Sequence, residues 1–460
     1  MGGAARNQGR KMVGAARLAS AGSCVATASV VSAGPDMSIS DLATNAQRAL
    51  ERGDPAALAM FDRAIKGDPG NARLWLGKAR ALELVDDRKG ARIVAQQIAD
   101  QAPGFIDAQD KLAEMRLAAG EPDFASHYAK AASRQPRDPN ILAAWCNALG
   151  AVDRSGEAAD IAAQARSRFP DEPHFTLLEA MHAGAGGEWD RAEAIFASLA
   201  SSTPQRLIQE ARHRLRAEDS GKAQTLLDQA LAKDPWNIAA WALLDIVWRI
   251  SGDARADWLH GQEGLVQIRP LAGREGLVSD AASELRKLHD NSAMPIGQSL
   301  RGGSQTRGIL FDRAEPIFAE LRDAILATLK EYRADLPPLD ETHPLLRHRE
   351  TPWSLAGSWS VRLAGGDDHH ASHIHPAGIV SSALYLVVPE AAADETARQG
   401  WLELGRPPRD LGLELPALAT IKPKPGHLAL FPSTMYHGTT PFGAVGQSER
   451  MTVAFDVKVS

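Results

Sequence analysis

Three histidines near the C-terminus have the type and spacing of metal ligands. His373-Ile374-His375-Pro376 places two imidazoles two residues apart, and on a strand such residues point to one face. His437 follows the Phe431-Pro432-Ser433 turn, where the chain can return to the mouth of a barrel. Neutral imidazole suits iron, zinc, copper or nickel. A facial set of three leaves positions open for substrate and oxygen. Arg450 and Thr452 lie two apart on a terminal segment of alternating pattern. A guanidinium on a barrel strand is costly unless it meets an anion, and its fork matches a carboxylate. Tyr385, on the strand after His375, offers a phenolic donor. Together Arg450, Thr452 and Tyr385 would bind a small dicarboxylate beside the metal.

Period-two segments must hold these residues. Ser358 to Leu363, Ser382 to Val388, Trp401 to Leu404, His427 to Phe431 and Met451 to Val459 read as strands separated by turn residues. A helix from about Glu315 to Tyr332 precedes them, with Phe318, Leu321, Ile325 and Leu329 on one face. This pattern predicts a double-sheet jelly-roll barrel with flanking helices. Polar and small residues from Asp290 to Thr306 mark a domain boundary, and a helical pattern runs on from Gly252 to about His289.

Upstream, the chain repeats. Pro69, Pro103, Pro136, Pro170, Pro204 and Pro235 are spaced 34, 33, 34, 34 and 31 residues apart. Ala91, Ala125, Ala158, Ala192 and Ala223 keep the same period, at 34, 33, 34 and 31. Alanine lets two helices approach closely, and proline stops the second one. Asp68-Pro69, Asp138-Pro139 and Asp234-Pro235 read as turn-and-cap pairs that start the next helix. The segment Asp190-Arg191-Ala192-Glu193-Ala194-Ile195-Phe196, with Trp75 and Trp241, resembles tetratricopeptide repeats over roughly residues 40 to 260. Two places depart from that pattern: the unit from Phe105 lacks a tryptophan, and Gly186-Gly187 interrupts a helical turn. The resemblance implies an all-α solenoid whose groove holds a peptide or protein partner.

The stretches HIHPAGIVSSALYLVVPE, KPGHLALFPSTMYHGTTP and ERMTVAF resemble the 2-oxoglutarate- and iron(II)-dependent oxygenases, in particular a bacterial and phage subgroup with a His-x-His-Pro motif. That resemblance implies Fe(II) on His373 and His437, 2-oxoglutarate as cosubstrate on Arg450 and Thr452 with Tyr385 alongside, and molecular oxygen as co-reactant. It implies a dioxygenase, hydroxylating a peptide, protein or small-molecule substrate recruited by the repeats. One residue departs: most of the superfamily has an acidic residue where this chain has His375. Either His375 completes a three-histidine site, or Asp367 or Asp368 swings in, or two histidines and water suffice; we favour His375. His369 and His370 read as solvated loop residues, and His427 as a packed or hydrogen-bonded strand residue. Two other readings compete: a non-catalytic tetratricopeptide scaffold carrying a degenerate barrel, and a three-histidine cupin-like metalloenzyme. The second leaves Arg450 and Thr452 unexplained.

Composition bounds the rest. The 460 residues are 44% hydrophobic and 23% charged, with a net charge of -6. That is the balance of a globular chain, and it lacks the basic stripe of a nucleic-acid binder. No run of about twenty apolar residues predicts a membrane span. Two cysteines, Cys24 and Cys146, make neither a disulfide framework nor a thiolate zinc site, which points to a reducing, cytoplasmic setting. The expected organisation is a disordered leader or weak targeting segment over 1–38, with Met37 as an alternative start. The solenoid follows over 39–260, a helical linker over 261–300 and the jelly-roll domain over 301–460.

Overall fold

The computed structural model describes residues 38–200, 202–290, 292, 299–443 and 448–460. The leader through Met37, with Cys24, and the linker residues 291 and 293–298 lie outside these. The chain divides after Asp138 into two compact units.

The first unit contains α1 (Ile39–Glu51), α2 (Ala57–Gly67), α3 (Ala72–Leu84), α4 (Arg88–Gln101), α5 (Ile106–Ala118) and α6 (His127–Arg134). Consecutive helices pack as hairpins. Ala91 and Ala125 are buried at the close approaches that the repeat predicts. Trp75 Nε1 donates to the Pro69 carbonyl at 3.0 Å and closes the turn between units. The next repeat has no tryptophan, yet Gln109 Nε2 donates to the equivalent Pro103 carbonyl at 3.1 Å. The same turn bond is made here with a different side chain.

The second unit begins with α7 (Pro139–Gly150), α8 (Ser155–Arg168), α9 (His174–Ala185), α10 (Trp189–Ser198), α11 (Pro204–Arg216), α12 (Ser220–Lys233) and α13 (Ile238–Ser251). Here Trp241 Nε1 repeats the bond, to the Pro235 carbonyl at 2.9 Å. Gly186 and Gly187 form the α9–α10 turn, with Gly187 at φ 84°. Two details of the repeat differ from expectation. Pro204 opens α11 behind its Thr203 cap instead of closing a helix, because its missing N–H costs nothing at the first helical position. The caps after Pro69 and Pro235 are Asn71 and Asn237, whose side-chain oxygens accept from Arg73 N and Ala240 N.

Beyond α13 the predicted helical run is broken. Gly264 and Gly273 take positive φ, and between them β1 (Gln267–Pro270) pairs with the later strand His427–Pro432. After α14 (Leu277–Asp290) come β2 (Leu300–Arg301), β3 (Ser304–Gln305), α15 (Pro316–Ala334), β4 (Trp353–Leu363), β5 (His369–His370) and β6 (Val380–Val387). The chain ends with β7 (Leu402–Leu404), β8 (Ala419–Ile421), β9 (His427–Pro432), β10 (His437–Thr439) and β11 (Arg450–Val459). The large sheet has the order β1-β9-β6-β11-β4-β3, and the small one β10-β7-β8. Helices α14 and α15 cover one face of the large sheet through Leu277, Leu285, Phe318 and Ile325. Its other face packs Tyr385, Ala429 and Phe431 against Leu402, Leu404 and Ile421 of the small sheet. This is the double-stranded β-helix expected from the period-two segments.

Within the second unit the last repeat helices pack directly on the barrel. Ile374, Leu411 and Tyr436 join one apolar cluster with Leu207, Leu243 and Trp248. Arg212 donates to the Tyr436 hydroxyl at 3.1 Å and to both Asp410 carboxylate oxygens at 2.8 and 2.6 Å. Arg216 reaches the same carboxylate at 2.6 Å.

Replacing Arg212 with alanine leaves Tyr436 and Asp410 without this partner and should cost about 2 kcal/mol in urea unfolding of the full chain. Arg322→Ala, which removes an exposed pair with Asp323, should stay within about 0.5 kcal/mol. A second expectation concerns pH. His343 is fully buried, its Nδ1 accepting from Leu345 N and Leu346 N and its Nε2 donating to the Leu259 carbonyl. Burial lowers the values of His343 and His289 to about 4. Between that value and the unfolded value of about 6.5, the unfolded chain binds more protons, so stability falls as pH drops through this window. Unfolding midpoints at pH 7.5 and 5 should reveal the slope, and His343→Asn should reduce it by up to one proton.

Candidate metal centre

His373 is not on a regular strand. A single antiparallel bridge joins it to His437, with His373 N donating to the His437 carbonyl at 3.0 Å and the reverse bond at 2.9 Å. This bridge ties the His-x-His segment to the first residue of β10. His373, His375 and His437 each offer one nitrogen, and these lie within 4.8 Å of one another. The Nε2 atoms of His373 and His375 are 3.0 Å apart. Two nitrogens each about 2.1 Å from one ion, at right angles, would stand at about this separation.

Each imidazole has its other nitrogen held. His373 Nδ1 lies 2.8 Å from the Ala371 carbonyl, and His437 Nδ1 lies 3.1 Å from the Met435 carbonyl. His375 Nδ1 lies 2.5 Å from the Asp456 carboxylate. Acceptors at Nδ1 fix the tautomer that leaves the Nε2 lone pair for a metal. Burial, followed by neighbouring imidazoles, lowers His373 to about 3 and His437 well below its ordinary value. Both rings are therefore neutral at physiological pH, the form a metal requires.

The same cavity is lined by Arg450 and Thr452 on β11. Arg450 is 2% exposed. Its Nε donates to the Gly400 carbonyl at 3.2 Å, and among the described residues no carboxylate pairs with it. Its guanidinium carbon lies 5.6 Å from the centre of the Tyr385 ring, and Tyr385 is the cross-strand neighbour of Thr452. The Tyr385 hydroxyl is buried without a hydrogen-bond partner. Burial pushes it up to about 12, against the pull of Arg450. A buried cation and an orphaned donor at one spot call for an anion with oxygens to share. Both ends of the cavity thus fit a metal and a dicarboxylate.

His370 differs from expectation. It lines the cavity, its ring stacked on His373 with centroids 6.0 Å apart. Ser299 Oγ reaches His370 Nδ1 at 3.1 Å and His373 Nε2 at 3.2 Å. His370 is half-buried, on the strand β5 that pairs with β2. His369 lies against the Asp367 carbonyl, and His427 Nδ1 against the Pro425 carbonyl. Asp368 accepts from Ala364 N, and Asp367 N donates to the Phe442 carbonyl; neither carboxylate belongs to the histidine cluster. Asp456 escaped the reading of the sequence. The available signal was its even spacing from Arg450 and Thr452, which puts all three on one face of β11.

Residues 357–456 match the family described as "Putative 2OG-Fe(II) oxygenase". A comparison with curated proteins finds no match. Among solved structures, a tetratricopeptide repeat protein from Parabacteroides merdae aligns with 47% of this chain and 88% of its own, at 13% identity and a TM-score of 0.35. HygX from Streptomyces hygroscopicus, solved with nickel and 2-oxoglutarate, aligns over 45% of this chain and 85% of its own, at 15% identity and a TM-score of 0.31. A Pseudomonas putida prolyl-4-hydroxylase aligns over 46% and 99%, at 16% identity and a TM-score of 0.29. Such distant likenesses carry no argument about substrate. Among the described residues no helix is long and apolar enough to cross a membrane. The chain joins tetratricopeptide-type repeats to a domain, residues 357–456, that matches the 2-oxoglutarate- and iron(II)-dependent oxygenases.

Proposed function

We propose that His373, His375 and His437 hold the iron, and that Arg450, Thr452 and Tyr385 hold the far carboxylate of 2-oxoglutarate. The observation that carries this reading is the convergence of three tautomer-fixed imidazoles beside a buried arginine that no carboxylate among the described residues neutralises. When bound, iron and 2-oxoglutarate supply the oxidising chemistry: one oxygen atom enters succinate as carbon dioxide leaves, and the other enters a substrate C–H bond. The protein's residues orient and exclude. The Nδ1 acceptors aim the imidazoles, Arg450 fixes one end of the cosubstrate, and Trp359, 5.5 Å from His375, narrows the cavity.

The substrate we favour is a peptide or protein segment recruited through the repeats. In the second unit the repeat residues reach the barrel at two places near the site. Asp153, between α7 and α8, accepts from Arg301 on β2 at 2.9 Å, and β2 pairs with the strand that carries His370. Arg212 on α11 holds Tyr436, the residue before His437. A chain bound along these helices would have a short path to the cavity.

His437→Ala should reduce substrate-dependent succinate release at least about 100-fold, and unchanged turnover would contradict the assignment. Arg450→Ala should raise the 2-oxoglutarate concentration for half-maximal rate by about 10- to 100-fold, the cost of a lost charged pair. Its iron affinity should change by less than about threefold, because no iron ligand is touched. Equal losses of cosubstrate and iron binding would exclude the anchoring role.

A further inference from the structure

We propose that Asp456 is a positioning residue that returns, through His375, the carboxylate missing from the direct metal ligands. The inference rests on the three-histidine reading of the site. The three imidazoles are not held alike. His373 and His437 face backbone carbonyls, whereas His375 faces a carboxylate at 2.5 Å. The charged acceptor is thus given to the one histidine that stands where most of the superfamily has an acidic ligand.

The position of Asp456 is built. It lies on β11, where the register shifts between Asp456 and Val457. Gly378 packs so closely that a Cβ there would stand 3.2 Å from the Asp456 Cβ. Arg450, Thr452 and Ala454 line the cavity from the same strand, and Asp456 continues their period of two. One strand therefore carries the cosubstrate anchor at one end and the carboxylate behind the metal ligand at the other.

The consequence is electrostatic as well as geometric. A divalent ion on three neutral imidazoles has a charge one unit more positive than on two imidazoles and a carboxylate. A carboxylate hydrogen-bonded to one imidazole restores that unit one bond further out. It also makes the imidazole a stronger donor and fixes its Nε2 toward the ion. Asn at 456 has nearly the same shape and can still accept from Nδ1–H, but it carries no charge.

The test is an anaerobic titration of the full-length protein with Fe(II) alone, repeated with Co(II), whose visible spectrum reports the coordination set. Asp456→Asn should weaken metal binding about 10- to 100-fold, with an unchanged unfolding midpoint in the metal-free protein. The same change made in a His375→Asp background should cause no loss, because no imidazole remains to be oriented. An Asp456→Asn protein that binds within twofold of the parent would overturn the proposal. So would equal losses in both backgrounds, which would mark Asp456 as general support. If the parent chain takes up neither metal, the three-histidine reading itself fails, and this inference falls with it. That outcome is distinct from a failure seen only in the variants.

Discussion

Two backbone hydrogen bonds between His373 and His437 are the contact on which the site depends. They join segments sixty-four residues apart in the chain, counted from 373 to 437, and set three imidazoles at ligand distance. Neither segment would hold that placement alone, because the His-x-His stretch has no regular strand around it. Support comes from both sides. Tyr436, beside His437, and Ile374, between His373 and His375, pack into the apolar cluster of helices α11 to α13. Asp456 reaches His375 from the large sheet. The repeat helices of the second unit are therefore part of the scaffold of the candidate metal site as well as a candidate recruiting surface.

Arg450 supplies the second constraint. Burying a guanidinium without a carboxylate partner is costly, and an arriving anion would offset that cost. The orphaned Tyr385 hydroxyl lies at the same place. A cupin-like metalloenzyme would use the histidines and leave these two groups without a task, and a degenerate scaffold would have no reason to keep them buried.

Much of this was legible in the residues. The repeat period and the strands follow from spacing and side-chain chemistry, because those patterns are local, and the six residues proposed for the site were chosen on the same grounds. What was missed depends on tertiary partners. β1 is a strand because β9 offers it an edge, although its neighbours read as helix. Gln109 stands where two other repeats have a tryptophan, and it makes the same kind of bond, to the Pro103 carbonyl. His370 becomes half-buried through partners distant in sequence, the β2–β5 pairing and Thr439 on β10. Asp456 gains meaning only when β11 is set beside His375, although its even spacing from Arg450 was in view.

The central claim is that one site binds iron through three histidines and 2-oxoglutarate beside it. Anaerobic addition of Fe(II) to the metal-free full-length protein, then of 2-oxoglutarate, tests it most directly. The account predicts one iron per chain and a metal-to-ligand charge-transfer band that appears with the cosubstrate. Iron uptake without the band would favour a cupin-like centre, and no iron uptake would favour a scaffold; either result would contradict the account.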